Sequence, residues 1–422
     1  MKKYRPRIAD KILSFRLKSK GAVLIEGAKW CGKTTTASQV ARSILLMQEN
    51  ISQNLEMAEI SPVRLLQGET PRLIDEWQLA PKLWDTIRIE VDKRDEFGQF
   101  ILTESAVPPS NESIHHSGTG RIARMKMRPM SLFESGDSSG EVSLNDLFLG
   151  KKDINGENKT TLDDIAFYIC RGGWPKAINQ EKDVALQQAF DYYDAVVETD
   201  ISRIDGIERD SQRVKRILRS YARLVGSQAK IPTIIEDLKM NDIENISEIT
   251  IRSYLSALNK MFVLEDSPAW NPNLRSKTAV RTSDTRYFTD PSIATASLGI
   301  GPNDLINDLE TTGFLFENLC IRDLRVYTES LDGNLYHYRD KSGLECDAVI
   351  HLRNGSYGLI EVKLGGDKLI QEGINTLTAL ENCIDIEKMK KPAFKMILTA
   401  TGQYAYTRSD GILIVPITCL KD

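Results

Sequence analysis

A glycine-rich stretch near the N-terminus places the strongest constraint on how this chain can fold. The sequence AVLIEGAKWCGKTTTASQVA begins with an apolar run, continues as G-x-x-x-x-G-K-T from Gly27 to Thr34, and ends in a helical pattern. In the order strand, loop, helix this motif binds phosphate, because successive backbone N–H groups point at one anion at the positive end of the helix dipole. The sequence therefore predicts a phosphate-binding loop on a parallel α/β sheet.

The residue types in this loop suit a nucleoside triphosphate that is bound together with a magnesium ion. Gly27 and Gly32 would let the backbone curl around the phosphates. Lys33 would reach the β- and γ-phosphates, and Thr34 would ligate Mg²⁺. Thr35, the next residue, completes the predicted nucleotide-binding residues of the loop. ATP and Mg²⁺ are therefore the cofactors that the sequence predicts.

Two later apolar runs end in polar residues, which argues against a chance glycine-rich turn. The run PRLIDEWQ contains Asp75, which would help to hold Mg²⁺, and Glu76, which would polarise the attacking water. The third strand-like run, residues 99–106, contains Thr103 and Ser105, whose hydroxyl groups could sense the γ-phosphate. The predicted site therefore combines the ends of three strands.

Hydrolysis usually also needs a positive charge that stabilises the transition state from outside the loop. Arg121, in the basic segment GTGRIARMKMRP, is the candidate for this role. An arginine that contacts solvent or a phosphate backbone is an equally good interpretation of the same segment. The sequence leaves both interpretations open.

The composition is that of an ordinary globular chain and argues against several classes of protein. The 422 residues are 41% hydrophobic and 27% charged, and no apolar run is long enough to span a bilayer. The basic N-terminus has no apolar segment of the kind that directs secretion, so a cytoplasmic protein without a membrane partner is expected. The six cysteines do not have the spacing of a zinc site. The net charge of −4 does not by itself indicate a nucleic-acid partner.

Several motifs together resemble those of one protein family. They are GAKWCGKTTTA, RLIDEWQLAP, FILTESA, GTGRIARMKMRPMSLFESG and YICRGGWP. In this combination the chain resembles the bacterial and archaeal AAA-type ATPases of the P-loop superfamily that carry a C-terminal domain of uncharacterised function. The resemblance covers essentially the whole chain, implies ATP binding and hydrolysis, and allows for an oligomer. One departure is Glu104, which replaces the glycine of the family's usual L-T-G-S and would repel the γ-phosphate unless its carboxylate turns away.

The middle of the chain indicates three helices and then a strand pair. The predicted helices are 213–225, 231–239 and 247–262, and the strand pair begins at Val263. Apolar residues recur every three or four positions in the third helix and form one face: Ile251, Tyr254, Leu255, Leu258 and Phe262. This pattern resembles a winged helix, whose third helix commonly enters the major groove of DNA. A module that only packs between the flanking domains is the alternative.

The segment LECDAVIHLRNGSYGLIEVKL, residues 344–364, predicts a β-hairpin. A three-residue loop at 353–355, with its glycine in the left-handed conformation, would place Leu352 opposite Ser356. One face of the hairpin is then wholly apolar. A two-residue Asn-Gly turn would shift the register by one position and bring a carboxylate into the apolar face, so we reject it.

On the other face, the favoured register places Asp347 directly opposite Glu361. Like charges in this position are destabilising, but a divalent cation between them would make the arrangement favourable, since hard cations prefer carboxylate oxygens. Lys363 shares the face and would orient or deprotonate a water molecule. A plain solvated face, on which Glu345 pairs with Lys363, is the alternative.

An acid followed by acid-x-lysine across a hairpin resembles the PD-(D/E)XK nuclease fold, over residues from about 310 to 420. The resemblance implies that Glu317 supplies a helical acid, that it holds Mg²⁺ together with Asp347 and Glu361, and that Lys363 completes the catalytic set. Gln371 is a weaker match to a polar residue on the following helix.

The expected fold is α/β with three functional parts. The predicted boundaries are a P-loop AAA-type ATPase domain at 1–150, a helical lid or linker at 151–205, a winged-helix domain at 206–300 and a restriction-endonuclease-like α/β domain at 301–422. The expected function is an ATPase that acts on DNA and gates a Mg²⁺-dependent nuclease site. A nucleotide-dependent switch that binds DNA or protein, with a C-terminal recognition module that does not cut, is the alternative.

Overall fold

Buried strands alternate with amphipathic helices along the chain. The contacts between residues divide the chain into two compact units. The computed structural model describes residues 4–107, 117–204, 206–241, 246–271, 283–385 and 389–422. Unit 1 comprises Met1–Pro129, Glu198–Arg209 and Ser256–Val263. Unit 2 comprises Met130–Val197, Asp210–Leu255 and Leu264–Asp422.

The secondary structure follows the chain in this order. The helices are α1 (Ile8–Leu17), α2 (Lys33–Ser38), α3 (Ile51–Ile60), α4 (Pro62–Leu65), α5 (Leu83–Arg94), α6 (Leu132–Ser135), α7 (Leu144–Phe148), α8 (Leu162–Arg171), α9 (Lys182–Ala195), α10 (Ile201–Arg203), α11 (Ser211–Arg223), α12 (Ile231–Met240), α13 (Glu248–Lys260), α14 (Pro291–Leu298), α15 (Pro302–Asn307), α16 (Leu309–Ser330) and α17 (Asp367–Cys383). The strands are β1 (Ala22–Glu26), β2 (Ser43–Leu46), β3 (Arg72–Asp75), β4 (Phe100–Glu104), β5 (Ile122–Lys126), β6 (Val142–Ser143), β7 (Asn155–Glu157), β8 (Gly333–Arg339), β9 (Glu345–Leu352), β10 (Tyr357–Lys363), β11 (Phe394–Thr399), β12 (Tyr404–Thr407), β13 (Leu413–Pro416) and β14 (Leu420–Lys421). Within the described ranges, no helix combines the length and the apolar composition needed to cross a membrane.

Unit 1 is built on the predicted parallel sheet. Its strand order is β2-β3-β4-β1-β5, and every neighbouring pair is parallel. Ala22 and Leu24 pack into the core on one face of β1, and Val23 and Ile25 pack into the core on the other. Both faces of the sheet are covered, so neither face of β1 meets solvent. For this reason the sequence of β1 is a continuous apolar run as far as Ile25. Because β1 and β4 are parallel neighbours, the loop after β1 lies beside the carboxyl end of β4.

Unit 2 contains a larger mixed sheet in the order β7-β12-β13-β11-β10-β9-β8. The strands β8, β9 and β10 form an antiparallel meander, whereas β10, β11 and β13 pair in parallel. The long helix α16 precedes the meander, and α17 connects β10 to β11. The chain path from α16 to β11 is therefore helix, three antiparallel strands, helix and parallel strand.

The three helices predicted in the middle of the chain are present as α11, α12 and α13. All apolar residues assigned to the inner face of the third helix are buried: Ile251, Tyr254, Leu255, Leu258 and Phe262. Single β-bridges join Leu264 to Phe288 and Ser267 to Thr285, where the strand pair was expected. Residues 272–282, which would form its tip, lie outside the described residues.

The predicted first domain extends to residue 150, whereas by its contacts the segment Met130–Val197 belongs to unit 2. Strand β6 pairs with β14 at the C-terminus, and β7 adds an edge strand to the larger sheet beside β12. Strand β7 lies in the polar, glycine-containing segment 150–161. It is held by pairing with β12, which is distant in the sequence.

The hairpin has the predicted register. Gly355 has a φ of 82°, and Leu352 N donates to Ser356 O at 2.8 Å. The ladder pairs Tyr357 with His351 and continues to Ile360 opposite Ala348. Beyond that pair the ladder is interrupted, because Val362 N donates to the side chain of Asp347 at 2.7 Å.

Candidate functional site

The phosphate-binding motif forms the loop between β1 and α2. Gly32, directly before α2, has a φ of 104°, a left-handed conformation that favours glycine. The ammonium group of Lys33 is buried and donates to the backbone oxygens of Gly27 and Ala28, each at 2.9 Å. Thr35 is exposed on the first turn of the helix. The loop therefore places Lys33 among backbone groups that a bound phosphate would also approach.

Strands β3 and β4 supply the next residues, as predicted. The Oδ1 atom of Asp75 accepts hydrogen bonds from Thr34 Oγ1 at 2.6 Å and from Thr103 Oγ1 at 2.7 Å. The hydroxyl oxygen of Thr103 also accepts from the backbone N–H of Glu76 at 3.1 Å. One continuous set of hydrogen bonds thus connects the loop after β1 with the ends of β3 and β4.

Glu76 lies directly after β3 in the left-handed backbone conformation, with a φ of 55°. Its Oε2 atom accepts a hydrogen bond from Ser105 Oγ at 2.7 Å and another from Gln78 Nε2. The carboxylate is therefore held by two side chains. A held carboxylate beside a phosphate-binding loop is suited to orienting a water molecule.

Arg121 is not near this site. It precedes β5 at the end of the strand where Ala22 begins β1, whereas the phosphate-binding loop follows the opposite end of β1. Its Nε donates to Asp92 at 2.8 Å, and both side chains are exposed. In this chain's own site Arg121 does not supply the positive charge that was predicted, because the parallel register places it at the wrong edge of the sheet.

Sequence reasoning did not predict that Arg7 and Asp200 contact the phosphate-binding loop. Arg7 is buried, and its guanidinium donates to the backbone oxygens of Cys31 and Arg128, each at 2.8 Å. Lys29, within the loop, forms an ion pair with Asp200 at 2.6 Å. Neither pair is marked by a local motif, because the partners are far apart along the chain.

The side chain of Glu104, the residue that departs from the family pattern, contacts Trp77. Its side chain is 1% exposed, and its Oε2 accepts from the indole N–H of Trp77 at 2.9 Å. Burial and then the neighbouring charge of Glu26 raise the pKa of Glu104 to about 8, although Arg124, the hydrogen bond from Trp77 and Lys33 oppose the shift. At neutral pH the carboxyl group is therefore protonated and does not repel a phosphate.

The predicted acids of the C-terminal domain form a second cluster, in unit 2. Lys363 Nζ lies 2.7 Å from Glu361 Oε2 and 3.4 Å from Asp347 Oδ2. Burial alone would lower the pKa of Lys363, but the charges of Asp347 and Glu361 outweigh it and raise that pKa. Lys363 is thus held as an ammonium ion, a form suited to orienting a water molecule, which is one of the two roles predicted for it.

Burial and then the charge of Asp347 raise the pKa of Glu361 to about 8. Glu317, on α16, is partly buried, and Tyr287 donates its hydroxyl hydrogen to Glu317 Oε1. Burial, followed by the charge of Asp347, raises the pKa of Glu317 well above its usual value. Tyr287 was not predicted, because nothing near it in the sequence indicates that it contacts the acids.

Lys363 occupies a central position in the cluster, between the two strand carboxylates. Among the described residues, no group of three or more His, Cys, Asp or Glu side chains is arranged to hold a metal ion. The metal-binding role of Glu317, Asp347 and Glu361 stays a prediction, and a metal ion bound there would have to displace Lys363 from Asp347 and Glu361. Gln371, the weaker match, is exposed and donates to Asn375.

Comparisons with known protein families cover three segments. Residues 19–135 match the family described as AAA domain. Residues 162–304 match a domain of unknown function, DUF8612, and residues 312–420 match another, DUF4143. The middle and C-terminal domains therefore match families whose activity is not described.

Among similar proteins are uncharacterized proteins of Mycobacterium tuberculosis and Mycobacterium bovis, each 21% identical over 93% of this chain and 79% of their own length. Among solved structures, a Walker-type ATPase of Pyrococcus abyssi is 15% identical and covers 68% of this chain and 94% of its own, with a TM-score of 0.41. The Aeropyrum pernix ORC1 protein in complex with DNA is 13% identical and covers 71% of this chain and 92% of its own, with a TM-score of 0.27. Both TM-scores are too low to inform the arrangement of this chain. The N-terminal segment 19–135 thus combines a match to the AAA domain family with an assembled phosphate-binding loop.

Proposed function

We propose that this protein binds ATP with Mg²⁺ and hydrolyses it in its N-terminal domain. The observation that carries the proposal is the hydrogen-bonded set Thr34–Asp75–Thr103, which joins the phosphate-binding loop to the ends of two further strands. Lys33 lies at the same loop and supplies the positive charge for the phosphates.

The oxygen atoms at this site fit a magnesium ion. Thr34 Oγ1 and Asp75 Oδ1 lie 2.6 Å apart, and hydroxyl and carboxylate oxygens are the donors that Mg²⁺ prefers. Bound there, the ion would neutralise charge on the β- and γ-phosphates. Glu76, which Ser105 and Gln78 hold in place, would orient the attacking water and accept its proton.

The first test compares Glu76→Gln with Lys33→Ala in the full chain. Loss of the proton acceptor should lower the rate of phosphate release by about a hundredfold while ATP binding remains. Loss of Lys33 should weaken ATP binding itself. The measurements are phosphate release and titration with a fluorescent ATP analogue. Glu59→Gln, at a surface ion pair of the same unit, serves as the control. Unchanged turnover in Glu76→Gln contradicts the assigned role.

We also propose that the protein acts on DNA and that its C-terminal domain is nuclease-like. Support comes from the chain path α16–β8–β9–β10–α17–β11, which carries Glu317 on the first helix, Asp347 on the second strand and Glu361 on the third. The Oε1 atom of Glu361 is buried without a hydrogen-bond partner among the described residues. Burying an unpaired carboxylate oxygen is unfavourable, and such positions are more often kept for function than for stability.

The second test measures cleavage of branched, single-stranded and duplex DNA, with Mg²⁺ or Mn²⁺ and with or without ATP. Asp347→Ala and Lys363→Ala should each lower cleavage by about a hundredfold or more. Glu345→Gln should leave it unchanged, because Glu345 pairs with Arg339 and is half exposed. If the wild type cuts none of the substrates, or both alanine variants cut as the wild type does, the nuclease proposal is wrong.

The alternative is a nucleotide-dependent switch whose C-terminal domain recognises a partner without cutting. The pairing of Lys363 with both strand carboxylates favours it, because the cluster already neutralises much of its own charge. DNA binding that changes on addition of ATP, without cleavage, would be the result expected of this switch. Fluorescence anisotropy of labelled duplex DNA at two salt concentrations measures it.

A further inference from the structure

Three consecutive residues at the end of β4 each hold one residue at the end of β3. Thr103 donates to Asp75 at 2.7 Å, and Ser105 donates to Glu76 at 2.7 Å. Between them, Glu104 accepts from the indole of Trp77 at 2.9 Å. The contacts of Thr103 and Ser105 hold the predicted site residues Asp75 and Glu76. The contact with Trp77 is made by Glu104, the residue that departs from the family pattern.

The contact between Glu104 and Trp77 restrains the backbone of Glu76, because Trp77 is the next residue in the chain. Trp77 follows Glu76 directly and is 1% exposed, and its ring lies 5.0 Å from that of Trp84. Glu76 itself has the left-handed backbone conformation, which is unfavourable for a residue with a side chain. Such a conformation persists only where the surroundings impose it. A buried anchor on the next residue is one such restraint.

The surroundings of Glu104 determine its charge. Glu26 lies beside it in the strand register, and Arg124 forms an ion pair with Glu26. Lys33 also acts on Glu104 from the phosphate-binding loop. Burial raises the pKa of Glu104 to about 8, so near neutral pH it accepts from Trp77 as an uncharged group. When it ionises, the new negative charge would face both Glu26 and Lys33.

We propose that Glu104 is a positioning residue for ATP hydrolysis, because its carboxyl group anchors Trp77 and thereby fixes the orientation of Glu76. The inference rests on the proposed ATPase activity. Glu104 does not contact the reacting atoms. Its neutral form keeps Trp77 in place and leaves Lys33 free to meet the phosphates. Its ionised form competes with the phosphates for the ammonium group of Lys33.

The experiment compares Glu104→Gln with Glu104→Leu in the full chain. Glutamine retains an uncharged acceptor for the indole, so kcat should stay within about twofold of the wild type. Leucine removes the acceptor at similar volume, so kcat should fall about tenfold with little change in KM. The wild-type rate should decline above about pH 8, and the glutamine variant should not show this decline. Equal kcat values in the leucine variant and the wild type would overturn the inference.

A second measurement does not depend on turnover. The indole N–H resonance of Trp77, assigned by its loss in Trp77→Phe, should shift with a midpoint near pH 8 in the wild type and stay constant in Glu104→Gln. If the wild type hydrolyses no ATP, the proposed function fails, and this titration alone decides whether Glu104 anchors Trp77. If Glu104→Leu does not fold, Trp77→Phe replaces it and should show the same loss of kcat. An indole signal that does not respond to pH overturns the inference.

Discussion

Gly27 illustrates how one residue can meet two requirements, of which the sequence indicates only one. The motif requires a small residue so that the backbone can approach phosphate. In the folded chain, a Cβ atom on Gly27 would also lie 2.0 Å from the backbone oxygen of Met127. Met127 N donates to Glu26 O at 2.7 Å, so this segment after β5 is tied to the end of β1. The second requirement is visible only once the two segments are neighbours.

Gly27→Ala should therefore lower stability as well as ATP binding. We expect a loss of about 1–3 kcal/mol in the free energy of unfolding, because a backbone oxygen must move to admit the methyl group. Urea denaturation followed by tryptophan fluorescence measures it. Gly313→Ala is the control, since a Cβ there meets nothing within 4 Å and alanine favours the helix. The prediction fails if both variants unfold at the wild-type midpoint.

At the scale of elements, the hairpin of β9 and β10 shows how far residue patterns determine register. Alternation of apolar and charged residues, together with the glycine in the loop, was sufficient to predict the pairing as far as Ile360 and Ala348. The next pair would place two carboxylates opposite each other. There the regular ladder gives way, and the Asp347 side chain accepts from Val362 N instead. The partner of Glu345 is Arg339 on β8, which a two-strand argument could not predict.

The strands β6 and β7 show the opposite case. They are two and three residues long and lie in polar segments, so no periodic pattern marks them. Strand β7 forms by antiparallel pairing with β12 at the edge of the larger sheet, where Glu157 lies opposite Tyr404. The side chain of Asn158 donates a hydrogen bond to the backbone oxygen of Gly402 at 2.7 Å. Such elements depend on partners that are more than two hundred residues away in the chain.

At the scale of the whole molecule, a buried ion network in unit 2 connects segments that lie far apart in the sequence. Arg322 on α16 is 1% exposed and pairs with Asp290 at 3.0 Å and with Asp323 at 2.7 Å. Asp323 accepts from the backbone of Leu132, and Asp290 accepts from the backbone of Gly173, each at 2.9 Å. The network thus joins the segment after Pro129 and the YICRGGWP motif to α16.

Replacing Arg322 by methionine should destabilise unit 2 strongly. Two buried carboxylates would lose the cation that they share, which typically costs about 3–5 kcal/mol. Urea unfolding followed by tryptophan fluorescence measures the change, since Trp174 and Trp270 both lie in unit 2. Arg408→Met, at a surface pair with Asp410, should cost less than about 1 kcal/mol. A midpoint for Arg322→Met equal to that of the control would contradict the role of the network.

The sequence by itself determined the parallel sheet of unit 1, the loop at Gly27–Thr34, the acids after β3 and the hairpin register. These features depend on side-chain periodicity and on backbone requirements that act within a few residues. The tertiary structure decided the position of Arg121, the protonation of Glu104, the contact of Lys363 with both strand carboxylates, and the domain boundary at Met130. Each of these depends on burial or charge contributed by a distant segment, because desolvation and Coulomb interactions act through space rather than along the chain.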